Sequence, residues 1–307
     1  MKLSIVATLY RSEAYIDEFC RRALKVAADF AGSDFEIVLV NDGSPDLSLE
    51  RAVSIATGNP HVVVVDLSRN FGHHLAMMTG LDHARGDLVF LIDSDLEEEP
   101  EYLGVFAEEM LRSKADVVYG VQQKRKGNWF ERLSGNWFYP MFRAVTGVAM
   151  PENIITARLM SRRYVNALLL HREREIFIGG LWQITGFKQV GQLVTKHGTS
   201  ESTYTFRRKM SLVVNSIASF TNAPLIWIFY CGLAVSLMAF LYNLYLIANW
   251  AFRSAPLLGW TSVMASIWLM GGLMMSFIGV IGIYLSKIFT ETKQRPYTIV
   301  RHVYGRD

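Results

Sequence analysis

The stretch Leu88–Glu101, LVFLIDSDLEEEPE, gives the strongest indication of the fold. Its apolar run Leu88–Ile92 is typical of a strand that is buried on both faces, as in a parallel sheet. Asp93 and Asp95 come directly after that strand. In open α/β sheets, ligands bind outside the carboxyl ends of the strands. We therefore expect a ligand site where this strand ends.

The two aspartates of this stretch indicate a cation. Asp93 and Asp95 are separated by one residue, and two such carboxylates repel each other unless a cation lies between them. Hard divalent ions such as Mg²⁺ and Mn²⁺ prefer oxygen ligands, and Mg²⁺ usually shares its coordination sphere with substrate phosphates. The alternative is a solvated acidic loop at a helix N-terminus, which the helix dipole also favours.

Composition narrows the class of protein. A chain of 307 residues can hold one or two domains, and its net charge of +3 is too weak to suggest a nucleic-acid partner. Cys20 and Cys231 lie far apart, so neither a disulfide framework nor a zinc site is supported. The N-terminus enters an apolar run without the layout of a signal peptide, which predicts a cytoplasmic first domain.

The first 120 residues alternate between apolar runs and helical patterns. Such alternation predicts an α/β fold with a doubly wound, mostly parallel sheet. The expected strands are Leu3–Thr8, Phe35–Val40, Val62–Asp66, Leu88–Ile92 and Asp116–Gly120, and the expected helices are Glu13–Phe30, Leu47–Thr57, His73–Ala84 and Tyr102–Arg112.

Polar clusters follow three of the expected strands, at Tyr10–Glu13, Asn41–Ser44 and Asp93–Asp95. Because parallel strands end at the same edge of a sheet, we expect these clusters to converge. The first strand is not followed by a GxGxxG or GxxxxGK[ST] pattern, so a nucleotide held here would be gripped by side chains. Asp42 could then accept hydrogen bonds from a base or ribose. Taken alone, Asn41–Ser44 is equally well explained as a turn and helix cap.

The region from Gly120 to Gly198 is less regular and mixes basic with aromatic residues. This mixture fits a phosphate-bearing substrate or lipid headgroups better than nucleic acid, because the overall charge is modest and apolar segments follow. The residues concerned are Lys124, Arg125, Lys126, Trp129, Phe130, Arg132, Trp137, Phe138, Tyr139 and Arg143.

The C-terminal third is dominated by two long apolar segments. Leu225–Trp250 and Thr261–Leu285 contain no charged residue, and each is long enough to span about 30 Å of hydrocarbon. Met210–Phe220, which precedes them, has the pattern of an interfacial amphipathic helix. Basic residues concentrate after the second span, so the positive-inside rule predicts that both termini are cytoplasmic. The alternative for this pair is a buried hairpin of a soluble protein.

These patterns divide the chain into four expected parts: a cytoplasmic α/β domain over residues 1–206, an interfacial segment over 207–223, a two-helix transmembrane hairpin over 224–287 and a basic cytoplasmic tail over 288–307. Small residues in the second span would allow close helix contact. They are Gly271, Gly272, Ser276, Gly279 and Gly282.

The whole chain resembles glycosyltransferase family 2, which has the Rossmann-like GT-A fold. Within that family it is similar to the polyisoprenyl-phosphate glycosyltransferases, the type of dolichyl-phosphate mannose synthase and bactoprenol glucosyltransferase. The resemblance rests on the order of SIVATLYRSE, EIVLVNDGSPD, LSRNFGHHLAMMTGLDHARGD, LIDSDLEEEPE, RLMSRRYV and STYTFRRK ahead of the two spans.

The resemblance implies a metal-dependent, inverting transfer of a hexose from a nucleotide diphosphate sugar to a polyprenyl phosphate. A UDP-sugar such as UDP-glucose is the expected donor, undecaprenyl phosphate the expected acceptor, and Mg²⁺ or Mn²⁺ the expected cofactor. The setting would be the cytoplasmic face of a bacterial plasma membrane. Relatives of this type form tetramers, so a homo-oligomer is implied as well.

The resemblance also implies roles for individual residues. A metal ion would be held by Asp93, Asp95 and Glu97, and Asp95, Thr156 and Arg158 would lie at the catalytic centre. The nucleotide-sugar side would comprise Tyr10, Glu13, Asn41, Asp42, Arg69, Asp93 and Ser94. The lipid phosphate would meet Arg158, Ser202, Tyr204 and Arg207.

The sequence departs from the family pattern at several positions. Thr8 replaces a proline, Glu97 replaces a glutamine, and Gly179 stands where relatives often have arginine. Thr156 falls where relatives usually carry an aspartate that is a proposed base or acceptor-site residue. Either no base is required, or this branch handles its acceptor differently, or the copy is catalytically impaired.

Two other functions compete with this one. A processive polysaccharide synthase usually has more spans and a Q-x-x-R-W motif, whereas this chain has GLWQITGF in the corresponding region. A non-catalytic membrane scaffold or sensor of the same fold is supported only by Thr156 and Gly179. The intact acidic motif favours an active enzyme.

Overall fold

One mixed sheet forms the centre of the structure, a computed structural model that describes residues 2–122, 153–173, 178–195, 221–253 and 259–306. Within those residues the sheet has eight strands. They are Leu3–Leu9 (β1), Phe35–Asn41 (β2), Val62–Leu67 (β3), Leu88–Asp93 (β4), Val117–Gln122 (β5), Ile154–Ser161 (β6), Gln189–Val194 (β7) and Val300–Tyr304 (β8).

The strand order is β7-β5-β6-β4-β1-β2-β3-β8. The central strands β4, β1, β2 and β3 are parallel to one another, and β5 is parallel to β7. Strand β6 runs antiparallel to both β4 and β5, and β8 runs antiparallel to β3. This arrangement confirms the expected α/β fold with a mostly parallel sheet.

Helices connect the strands and continue into the C-terminal part. They begin and end within a few residues of the predicted bounds in the first 120 residues. They are Ile16–Ala31 (α1), Ser48–Gly58 (α2), His73–His83 (α3), Tyr102–Ser113 (α4), Arg162–Leu168 (α5), Ile178–Ile184 (α6), Ala223–Arg253 (α7) and Trp260–Thr292 (α8).

The core lies on both faces of the central strands, because every residue of β1, β2 and β3 is buried. On one face, Ile5 and Phe19 belong to an apolar cluster that also includes residues of α2 and α4. On the other face, α3 approaches the sheet closely at Gly80, where an added Cβ would lie 2.5 Å from the Val6 side chain. The alternation of side chains along a strand explains why Ile5 and Val6 serve opposite faces.

The chain divides into two compact units, of which the second contains α7 and α8. Two stretches in these helices, Ala223–Tyr242 and Leu269–Thr292, are long and apolar enough to cross a membrane, and neither is buried inside the protein. A core helix of a soluble protein would be mostly buried. Their length and composition thus agree with the two expected spans, while the expected interfacial segment lies largely outside the described residues.

Residues 295–307 belong to the first unit together with the sheet. A basic tail is predicted for residues 288–307, and the sequence pattern does not indicate a strand there. In the structure, α8 continues to Thr292, and Val300–Tyr304 then pairs with β3. The segment that follows the second apolar helix is therefore an integral edge of the sheet.

Candidate active site

Three strand ends converge at one edge of the sheet, as the sequence predicts. Strand β1 lies between β2 and β4, and all three run parallel. Leu9 is paired with Asn41, and Thr8 is paired with Asp93, so the loops that follow these strands leave the same edge side by side. We call this edge, formed by residues 10–13, 41–44 and 93–95, the rim.

Asp46 links two rim loops, 10–13 and 41–44, through hydrogen bonds. Its Oδ1 accepts hydrogen bonds from the hydroxyls of Ser44 and Ser48 at 2.6 Å each, and its Oδ2 accepts the backbone N–H of Glu13 at 3.2 Å. Burial would raise the pKa of Asp46, but these hydroxyl and N–H donors outweigh it and lower the pKa to about 2. Asp46 is not among the residues predicted from the sequence, although it lies in the motif EIVLVNDGSPD.

Ser94, expected on the nucleotide side, links the first and third rim loops. Its hydroxyl donates to the carbonyl of Thr8 at 2.8 Å and lies 3.0 Å from the hydroxyl of Ser12. Ser12 also receives the backbone N–H of Tyr10 at 3.2 Å and donates its own N–H to Ser48 at 2.9 Å. Since Ser94 is only 4% exposed, its hydroxyl serves the loop framework.

Tyr10 and Glu13 lie at the outer part of the rim. The Tyr10 side chain is 48% exposed, which leaves its ring accessible to a base. Glu13 is partly exposed and contacts Arg51, with Oε1 3.3 Å from Nη2. Both positions agree with the predicted nucleoside contact, which remains a prediction.

Asp42 supports the loop that precedes α3. Its two carboxylate oxygens accept the backbone N–H groups of Phe71 at 2.7 Å and Gly72 at 3.0 Å. Burial raises the pKa of Asp42, while these two N–H donors and the nearby cationic groups of His73 and Arg69 oppose the rise. Asp42 is 2% exposed, so in this structure its carboxylate orders the loop, and contact with a base or ribose stays a prediction.

Arg69 and Asn41 differ in exposure, although both are predicted to bind the nucleotide sugar. The Arg69 side chain is exposed, with its guanidinium 4.0 Å from the centre of the Phe71 ring. Asn41 is 2% exposed; its Nδ2 donates to Asp66 at 2.8 Å and its Oδ1 accepts the N–H of Ser44 at 3.2 Å. Arg69 can thus meet a ligand directly, whereas Asn41 shapes the turn.

Asp93, the first aspartate of the acidic motif, faces a histidine. Its Oδ1 lies 3.3 Å from His73 Nε2, and His73 Nδ1 lies 3.0 Å from the hydroxyl of Thr8. Burial would lower the pKa of His73, but the hydrogen bond and charge of Asp93, with Asp42 and Glu98 further off, raise it overall. His73 is not among the site residues predicted from the sequence.

Asp95 is exposed at the rim, and its Oδ1 accepts the backbone N–H of Glu97 at 3.0 Å. Leu96, between them, has a positive φ of 60°, which turns the chain sharply after the aspartate. Within the described parts of the chain, no group of three or more His, Cys, Asp or Glu side chains is placed to hold a metal ion. The structure therefore offers Asp93 and Asp95 on one loop, without gathering Glu97 as a third ligand.

Glu98 joins the acidic loop to strand β6. The side chain is completely buried, and its two oxygens accept the backbone N–H groups of Thr156 at 3.0 Å and Ala157 at 2.8 Å. These residues come just before Arg158 on the same strand. The run of acidic residues suggests a solvated loop. Only the three-dimensional structure reveals that one of its carboxylates, that of Glu98, binds the loop to β6.

Arg158, predicted at the catalytic centre and at the lipid phosphate, is 1% exposed. Its guanidinium donates to the carbonyls of Thr156 at 3.1 Å and Ile155 at 3.3 Å and lies over the Trp182 ring. Burial lowers the pKa of Arg158 to about 9, with Tyr164, Glu98 and other groups opposing the fall. The Arg158 side chain therefore stays charged at neutral pH. It belongs to β6, which lies next to β4, the strand that ends at the rim.

The remaining lipid-phosphate residues, Ser202, Tyr204 and Arg207, lie outside the described residues, as does the basic and aromatic stretch from Lys124 to Arg143. Their predicted roles are not addressed by the geometry. Thr156 is described, and its backbone connects Glu98 to Arg158 through one N–H and one carbonyl.

Comparison with known proteins identifies the family of this chain. The sequence model of the family described as Glycosyl transferase family 2 matches residues 4–169. A Mycobacterium tuberculosis protein named as a glycosyltransferase is 50% identical over 307 residues, covering 100% of this chain and 90% of that protein. An Escherichia coli protein named prophage bactoprenol glucosyl transferase homolog is 31% identical over 307 residues, covering 99% of each chain.

Among solved structures, Staphylococcus aureus TarS 1–349 in complex with UDP-GlcNAc aligns with a TM-score of 0.48 and 19% identity, covering 71% of this chain and 66% of that one. The two sequence relatives, in contrast, match almost from end to end. Their likeness therefore includes the apolar helices as well as the sheet.

Proposed function

Because the chain belongs to glycosyltransferase family 2, we propose that it transfers a hexose from a nucleotide diphosphate sugar to a polyprenyl phosphate. The donor is UDP-glucose or a related UDP-hexose, and the acceptor is a lipid of the undecaprenyl phosphate type. The reaction takes place at the cytoplasmic face of a bacterial plasma membrane. The product is a polyprenyl-phosphate sugar for glycan modification.

One observation carries this proposal: the rim gathers Tyr10 and the Asp93–Asp95 pair at the carboxyl edge of the sheet, and Arg69 lies in the loop after the parallel strand β3, in a chain that also has two exposed apolar helices. Transfer to a lipid-linked acceptor needs a site for the nucleotide sugar and access to a membrane, and these two features would meet both needs. The full-length likeness to a protein named as a bactoprenol glucosyl transferase homolog supports the choice of acceptor.

The carboxylates of the rim can bind a divalent cation together with the phosphates of the donor. Mg²⁺ is commonly bound by one or two carboxylates together with substrate phosphates and water, so a protein cluster of three ligands is not needed. Asp95, exposed at the rim, and Asp93, with its side chain 19% exposed, supply the oxygen donors. When bound, the ion would stabilise the charge that develops on the departing nucleoside diphosphate.

The chain's own residues position the donor. Tyr10 is exposed for stacking on the base, and Arg69 is exposed where it can pair with a phosphate. Asp42 and Asp46 hold the surrounding loops through backbone and hydroxyl donors. Such pre-ordering lowers the entropy cost of aligning donor and acceptor.

The chemical step then requires little base catalysis. A lipid phosphate oxygen attacks the anomeric carbon opposite the leaving group, the bond from that carbon to the nucleoside diphosphate breaks, and the configuration inverts. The phosphate monoester is already anionic at neutral pH, which is consistent with Thr156 in place of an aspartate. The buried, charged Arg158 on β6 would stabilise the negative charge that develops on the departing nucleoside diphosphate.

A transfer assay tests the proposal. Full-length protein in membranes is incubated with Mn²⁺ or Mg²⁺, undecaprenyl phosphate and a panel of radiolabelled UDP- and GDP-sugars, and label is extracted into organic solvent. We expect lipid-extractable label with a UDP-hexose. Absence of label with every donor contradicts the proposal.

A further inference from the structure

The C-terminal strand lies beside β3, and its first residue, Val300, pairs with Leu67 at the end of β3. Strand β8 pairs antiparallel with β3, and just before it the carbonyl of Ile299 accepts the backbone N–H of Ser68 at 2.9 Å. Ser68 is the first residue after β3 and opens the loop 68–72 that Asp42 holds. The segment that follows the second apolar helix thus reaches a loop of the candidate active site.

Arg301 on β8 makes two contacts at this point. Its Nη2 donates to the carbonyl of Ser68 at 2.7 Å, and its Nη1 lies 3.4 Å from Asp66 Oδ2. Asp66 is 1% exposed, and within the described part of the chain its Oδ2 receives no hydrogen bond. Arg301 is therefore the cation that compensates a buried carboxylate oxygen, and removal of one partner from such a pair leaves a costly uncompensated charge.

The other oxygen of Asp66 leads into the rim. Asp66 Oδ1 accepts the side-chain amide of Asn41, whose own oxygen accepts the N–H of Ser44. The turn 41–44 in turn touches the loop 68–72, because an added Cβ on Gly43 would lie 2.4 Å from the backbone nitrogen of Asn70. A continuous set of polar contacts therefore joins β8 to both turns, 41–44 and 68–72, which we call the nucleotide wall.

We propose that Arg301 is a positioning residue for the donor. It touches neither donor nor acceptor; it holds the nucleotide wall in place through Asp66 on one side and Ser68 on the other. This inference rests on the proposed function, since the wall is assigned to the nucleotide sugar there. The segment after the second apolar helix would then help to hold the donor site in place.

Arg306 provides a matched control on the same segment. Its Nη2 donates to Glu36 Oε2 at 2.9 Å and to the carbonyl of His83, and Glu36 is also a buried carboxylate. Glu36 lies near the start of β2, at the opposite end of that strand from the rim. Loss of Arg306 should weaken the attachment of the segment without disturbing the wall.

The experiment compares Arg301→Ala, Arg301→Lys and Arg306→Ala in the full chain. Hydrogen–deuterium exchange of residues 41–44 and 68–72 is measured together with KM and kcat for the donor. We expect Arg301→Ala to speed exchange in both turns and to raise the donor KM about tenfold with a smaller change in kcat. Arg301→Lys should raise the donor KM less than Arg301→Ala does, because a lysine keeps the charge but lacks the two-pronged guanidinium.

Arg306→Ala should lower the melting temperature while leaving exchange in the wall and the donor KM unchanged. If Arg301→Ala does not fold, Arg301→Gln takes its place under the same criteria. Unchanged exchange in the wall, or the same exchange and KM effects in the Arg301 and Arg306 variants, overturns the inference. A wild-type protein without transfer activity contradicts the proposed function instead, and the exchange data still decide the role of Arg301.

Discussion

Glu98 Oε2 accepts the backbone N–H of Ala157 at 2.8 Å, and this bond ties the acidic loop after β4 to strand β6. The neighbouring N–H of Thr156 is held by the other oxygen of the same carboxylate at 3.0 Å. A single buried side chain thus sets the distance between Asp95 and the strand that carries Arg158.

We predict that Glu98→Gln destabilises this link. The glutamine amide would turn an N–H₂ group towards one of the two backbone donors, which leaves that donor unsatisfied at a cost of about 1–3 kcal/mol. Thermal unfolding in detergent should show the loss. Glu101→Gln is the control, because Glu101 pairs with Arg22 at the surface. Equal melting temperatures for the two variants would contradict the assignment.

Gly43 and Gly32 allow a test of the contact between the two turns of the nucleotide wall, 41–44 and 68–72. Both have positive φ, 59° and 65°, so alanine strains the backbone at either site, by about 1–3 kcal/mol. An alanine at position 32 meets open space, whereas one at position 43 meets the backbone of Asn70 and Arg69.

We therefore expect Gly32→Ala to lose stability but keep donor affinity, and Gly43→Ala to lose both. Calorimetric titration with UDP measures the affinity, and thermal unfolding measures the stability. Donor affinity that is retained in Gly43→Ala, at a stability matching that of Gly32→Ala, would show that the two loops do not cooperate in binding.

Asp46 predicts a pH dependence of stability. Its pKa is about 2 in the folded protein against 3.8 ordinarily, because Ser44 and Ser48 hydroxyls and two N–H groups favour the carboxylate. A depressed folded-state pKa adds stability that is fully present above pH 4 and is lost as the pH falls towards 2. Solvent screening keeps the contribution below about 2 kcal/mol.

Asp46→Asn should accordingly lower stability at pH 6 and show a shallower loss between pH 4 and pH 2 than the wild type. Urea unfolding at several pH values checks this. Parallel curves for the two proteins over that range would mean that the hydroxyl network does not favour the charged form.

The sequence predicts the central sheet well because its strands are buried on both faces and therefore read as unbroken apolar runs. Strands β1 to β4 and the helices between them follow this rule. Their parallel order also fixes that Tyr10, Asn41 and Asp93 meet at one edge. The local pattern alone was sufficient there.

Sequence reasoning was weaker where function depends on tertiary pairing. Strand β8, VRHVY, carries two potential cations and packs at a sheet edge, so its pattern resembles a basic tail. Glu98 is one carboxylate among several, and nothing in the local sequence distinguishes it from its solvated neighbours. Arg158 was selected by resemblance, while its contact with Trp182 joins residues that are far apart in the sequence and is not visible in the local pattern.

The central claim is that Asp95 and the rim bind a nucleotide together with a divalent cation. Calorimetric titration of the full chain with UDP, with and without Mn²⁺, tests it most directly in the wild type, Asp95→Asn and Glu101→Gln. We predict Mn²⁺-dependent binding that Asp95→Asn weakens on the order of 100-fold and Glu101→Gln preserves. Equal UDP affinity in wild type and Asp95→Asn, at the same Mn²⁺ concentration, would contradict the claim.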